Sequence, residues 1–120
     1  MTAISFYPLK WEVPLNPKDE VDYTFNLLGN LLEVGEAPTS WDLVLSDASI
    51  AAGLTMGSGP YAKSLSGTII TVWFSIDPAR QADTAFDGIG CWLDMTVSVD
   101  TNHSPPRARE RTLMLRVARQ

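Results

Sequence analysis

The 120 residues hold a single cysteine, Cys91, and a single histidine, His103. One cysteine closes no internal disulfide, which points to folding in a reducing compartment. Two N/S side chains fall short of the three or four that zinc takes, so no metal and no cofactor is expected. Long apolar runs are missing as well: no stretch approaches the ~20 residues that cross a bilayer, so no membrane partner is expected. Residues Met1 to Pro8 show neither the basic start nor the apolar centre of a secretory signal, and the expectation is a chain made and used without export. Charged residues make up only 19% of the chain, and the formal net charge is −5. That sign argues against general nucleic-acid binding, which needs cations to displace counterions from phosphates. With 45% apolar residues the chain is long enough for one self-supporting core.

Catalytic equipment is sparse too. A nucleophile needs a base within hydrogen-bond reach. His103 sits in a loop ahead of Pro105-Pro106, whereas Cys91 alternates in phase with Leu93, Met95 and Val97 and reads as a small core residue. Asp77, Asp83 and Asp87 share one loop, but their spacing lacks the alternation of a compact calcium site. Gly57-Ser58-Gly59-Pro60 lacks the lysine and the helix that a phosphate loop requires. No catalytic residue is assigned, and the chain is expected not to be an enzyme.

What is present is period-two alternation. Val21-Asp22-Tyr23-Thr24-Phe25 opens a first strand; Ser40 to Ser46 puts Trp41, Leu43 and Leu45 on one face. Gly53-Leu54-Thr55-Met56 is a short strand, and the β-branched run Thr68 to Ile76 reads as a central one. Gly90 to Asp100 alternates most cleanly, and after the hairpin loop at Thr101–Pro106 the stretch Arg109 to Val117 closes the set. No segment sustains a helical period. The predicted fold is all-β, an antiparallel sandwich over residues 19–120. Residues 1–18 form a separate extended arm, because Pro8, Pro14 and Pro17 bar both helix and central strand. The arm carries Phe6, Tyr7, Trp11 and Val13, which either fold back as an edge strand or reach a neighbouring subunit. Burying its large side chains is worth roughly 1.5–3 kcal/mol each, against ~1–2 kcal/mol per residue for ordering the backbone. These four are the candidate partner-binding residues of the arm.

Charge and aromatics suggest further contacts. Residues 107–120 carry Arg107, Arg109, Arg111, Arg116 and Arg119 against Glu110 alone, a local +4 that leaves −9 on the preceding residues. One reading lays this basic terminus on an acidic patch of another subunit; the other lines a strand's solvent face with arginines. Trp73 and Trp92 fall on the polar side of their strands, where an aromatic ring serves an interface, a second buried layer or a sugar. Trp73, Trp92, Arg109 and Arg116 are therefore the candidate interface of the body.

Several segments occur in a telling order: Pro17 to Phe25, the Trp41 strand, Ala52-Gly53-Leu54-Thr55, Thr71-Val72-Trp73-Phe74-Ser75 and Glu110 to Val117. Together they resemble the small immunoglobulin-like proteins of tailed bacteriophages known as fibre–tail adaptors, over about residues 17–118. Leu27 or Leu28 stands where that family usually has a tryptophan, the 77–89 connection is longer, and the arm before residue 17 exceeds the common start. The resemblance implies an immunoglobulin-like sandwich and a virion structural protein, assembled in the host bacterial cytoplasm. It would couple tail or neck to fibres through contacts with other virion proteins, as a homo-oligomeric ring or in repeated copies. The alternatives are a capsid decoration protein and a carbohydrate-binding module.

Overall fold

The computed structural model describes residues 9–119. Among the described residues eight strands form two sheets: β1 (Leu9–Lys10), β2 (Val21–Asn26), β3 (Pro38–Leu45), β4 (Leu54–Met56), β5 (Ser64–Ser66), β6 (Ile69–Ile76), β7 (Cys91–Thr101) and β8 (Ala108–Val117). One helix, α1 (Asp47–Ala51), follows β3. The first sheet runs β1-β8-β7-β3; the second runs β2-β6-β4, with β5 also on β6. The all-β expectation holds, with two sheets stacked as a sandwich.

The alternation read along the chain sets which side chains meet. Val72, Phe74 and Ile76 of β6 point inward, as do Leu93, Met95, Val97 and Val99 of β7, and all are buried. Leu113, Leu115 and Val117 of β8 complete that face. The antiparallel pairing of β7 and β8 spans Cys91↔Val117 to Asp100↔Ala108 and is the longest ladder. Cys91 lies half-buried against the core, in the phase expected of it.

The two ends of the sandwich are plugged by loops whose burial the alternation did not reveal. Leu27, Leu31 and Leu32 close the end where β8 begins, through a tight turn in which the Leu31 and Leu32 amides both donate to the Leu27 carbonyl. Phe86 closes the end where β8 finishes, and its carbonyl accepts from the Arg119 amide. Gly90, just before β7, has φ +79° and lies so close to Val117 and Ala118 that a Cβ there would collide with them. Helix α1 also escaped a period-based reading because it is too short for one. Ser46 caps it by accepting from the Ser49 amide, and the buried Ser49 hydroxyl donates to the Asp94 carbonyl at 2.7 Å.

The arm does not stand apart from the body. Residues 9–18 fold back, and β1 is an edge strand running parallel to β8, with Leu9 opposite Leu113 and Lys10 opposite Met114. Farther on, Leu15 bridges Val117, donating to the Arg116 carbonyl at 2.9 Å and accepting from the Ala118 amide at 3.0 Å. From Lys10 to Leu15 the arm takes five steps while β8 takes three, from Met114 to Val117, so two residues of the arm are surplus. They bulge outward around Glu12, Val13 and Pro14. Leu15 itself is 1% exposed and belongs to the core. Of the two readings of the arm, its described residues follow the first: they fold back as an edge strand on the same body.

Candidate interaction surface

Of the four arm residues singled out, Phe6 and Tyr7 lie outside the described residues. Trp11 is not free for a partner. Its ring packs tilted on Tyr23 and edge-on to Phe74, with centroids 5.5 and 5.6 Å apart, and its Nε1 donates to the Thr24 carbonyl at 2.7 Å. It staples the arm across the open side of the sandwich, because an indole supplies both apolar area and one donor to satisfy. Val13 sits on the bulge, 68% exposed, while its carbonyl accepts from the Tyr23 hydroxyl at 3.1 Å. Burial, with a smaller contribution from the Asp19 charge, pushes the Tyr23 phenol above its ordinary range.

Arg109 also departs from expectation. Its side chain is only 16% exposed, and Nη1 donates to Glu36 Oε1 at 2.8 Å and to the Leu31 carbonyl. Glu36 accepts at the same oxygen from the Glu33 amide at 2.7 Å. The Arg109 guanidinium, then that amide, hold the Glu36 carboxyl down at about 2. Arg107 reaches Glu33 at 3.0 Å, so two arginines and two glutamates clamp the 27–36 loop onto the start of β8. Alongside, Gly29 to Glu33 and Arg107 to Arg111 line an open groove of about 890 Å³. At the far end Arg119 pairs with Asp87 at 2.7 Å and donates to the Gln81 and Asp83 carbonyls. Three of the five terminal arginines are therefore ion-paired inside the chain. The basic terminus and the acidic body meet within one molecule, which explains most of the uneven charge.

The loop acids have structural work of the same kind. Asp77 and Asp83 each accept from the backbone amide two residues on, starting the turns at Pro78–Arg80 and Thr84–Phe86. His103 has its Nδ1 2.9 Å from the Pro105 carbonyl, within the hairpin loop.

Trp92 and Arg116 come together. They are directly opposed on β7 and β8, on the outer face of the first sheet. Trp92 is 41% exposed, and the Lys10 ammonium lies 5.0 Å from its ring centroid, reaching across from β1. Arg116 is oriented by a 3.2 Å bond from Nη1 to the Ile89 carbonyl, and the Ile89 side chain beside it is 80% exposed. Met114, opposite both Lys10 and Asp94, joins the same face. Asp94 is engaged by the Ser46 hydroxyl at 2.7 Å. The result is an exposed indole between two cations, with aliphatic surface at its rim. Lys10 was not picked out from sequence because its place depends on pairing with a strand more than a hundred residues away. Trp73 sits on the outer face of the second sheet, half-buried edge-on to Tyr61 at 5.1 Å, and forms a separate, smaller aromatic spot.

No protein-family model matches this chain, and no curated protein matches it.

Proposed function

We propose that this chain is a non-enzymatic adhesion subunit of a virus particle, an immunoglobulin-like domain that couples the tail or neck of a tailed bacteriophage to its fibres. The strand order supports the immunoglobulin-like part: β2-β6-β4 and β8-β7-β3 follow the B-E-D and G-F-C orders of that sandwich. The observation that carries the reading is the outer-face cluster of Trp92, Arg116 and Lys10, since Trp and Arg are the side chains that dominate protein contacts when set in exposed patches. Cys91, His103, Asp77 and Asp83 are engaged in core, hairpin loop and turn caps, which favours contact over turnover. A sugar-binding role is less well supported, because Trp73 leans on Tyr61 and Lys10 covers Trp92.

The test is assembly of particles from chain carrying Trp92→Ala and Arg116→Ala together. The variant should fold, given that both positions are outward-facing, and should be missing from purified particles. Undiminished occupancy would overturn the proposal. Imaging of wild-type particles should place the subunit at the tail or neck; density over the capsid lattice would make it a decoration protein instead.

A further inference from the structure

The two halves of β8 differ in what covers the edge turned away from β7. The Thr101 amide donates to the Arg107 carbonyl, whereas the Met114 and Arg116 carbonyls accept from the Trp11 and Leu15 amides. Odd residues of β8 therefore turn their backbone to β7, and even residues turn theirs to the arm. Ala108, Glu110 and Thr112 share the second phase, yet among the described residues the arm pairs only from Leu113 onward. Other outer strands are tended. Lys63 donates to the Leu43 carbonyl at the rim of β3, and Trp11 and Asn30 donate to the Thr24 and Asn26 carbonyls at the rim of β2. Along Ala108 to Thr112 the described residues supply one such bond, from Arg111 Nη1 to the Glu110 carbonyl at 2.8 Å. An open edge beside a groove is a template for another strand.

Strand β1 points to the occupant. It runs parallel to β8 with Leu9 opposite Leu113, so each step back along the arm lands on the next residue back along β8. That register sets Pro8 beside Thr112, Tyr7 beside Arg111, Phe6 beside Glu110, Ser5 beside Arg109 and Ile4 beside Ala108. The Trp11 amide faces β8, and the same phase recurs at odd positions of the arm. Pro8 is even, and the N–H it lacks is one this pairing does not use. Eight residues precede Leu9, and the open edge needs five. We propose that Ile4 to Pro8 extend β1 along Ala108 to Thr112 and close this edge. The Tyr7 amide then donates to the Glu110 carbonyl, the Thr112 amide to the Tyr7 carbonyl and the Glu110 amide to the Ser5 carbonyl. Leu9 packs against the core, which gives Tyr7 the inner phase, over the groove that Arg109 and Arg111 line. There its ring meets the Arg111 guanidinium, which has no carboxylate within 4.0 Å among the described residues. The short tether to Leu9 favours this segment over a strand from a separate molecule, through its effective concentration.

Amide hydrogen exchange of the dilute full chain, followed by NMR, tests it. The Glu110 and Thr112 amides should exchange at least ~10-fold more slowly than in chain carrying Tyr7→Pro, which removes the amide aimed at the Glu110 carbonyl. Chain carrying Phe6→Pro should keep that protection within about twofold, because the amide lost there faces away from β8. Wild type should also show proton contacts between Tyr7 and Arg111, a reading that needs no variant to fold. Fast exchange of both amides in wild type, or no such contact, would overturn the proposal. So would equal exchange in the two proline variants, since the register requires the two positions to differ. Protection that grows with protein concentration would assign the edge to a second copy and overturn it as well.

Discussion

The first and second halves of β8 are held by different physics. Ala108 to Thr112 pairs with β7 alone and is fastened to its surroundings by the arginine–glutamate clamp, beside an open groove. Leu113 to Val117 has a strand on each side, a fully apolar inner face and the Trp11 staple nearby. One half depends on charge and therefore on pH; the other depends on apolar area and barely responds to pH. Among the arginines here, Arg107 and Arg109 are ion-paired at the start of β8, whereas Arg111 and Arg116 donate to backbone carbonyls.

The difference is broken most severely at the apolar half. Trp11→Ala should cost about 3 kcal/mol, since it removes a half-buried indole packed on Tyr23 and Phe74, and chemical denaturation would measure it. Gly90→Ala should cost about 2 kcal/mol from its positive φ and the collision with Val117, lowering the thermal midpoint. Glu36→Gln sharpens the contrast at the charged half. A carboxyl held at about 2 stabilises the fold fully above its ordinary value near 4.5, and that support drains away as pH falls between the two. Wild type should lose stability over that window, and the variant should show a flatter acid profile from a lower starting point. Trp92→Ala should be the smallest, within about 0.5 kcal/mol of wild type, because the ring is outward-facing. A large loss there would mean the ring supports the fold and would remove it from the interaction surface.

The strands with clean alternation were legible in the chain, since β6, β7 and β8 need only period two and β-branched residues to declare themselves. Trp92 and Arg116 were each legible as outward residues, but not as a pair. Their meeting depends on a hairpin register set by the Thr101–Pro106 loop. Arg109 misled because an arginine at a strand start looks like surface, and its partner Glu36 lies 73 residues earlier. The buried Leu27, Leu31 and Leu32 were hidden for a related reason: a plug at the end of a sandwich obeys neither period. Strands β1 and β5, of two and three residues, are shorter than any pattern can register.

The surplus of two residues between Lys10 and Leu15 has a mechanical meaning. Tension applied to the chain ahead of Leu9 would first shear the short pairing at Leu9 to Trp11. The outward loop at Val13 would then straighten, yielding about 7 Å at the rise of an extended chain. Only after that slack was spent would load reach the Leu15 anchor beneath Val117. Load on the arm would therefore meet the Trp11 ring and the Tyr23–Val13 bond before it reached the hydrophobic centre.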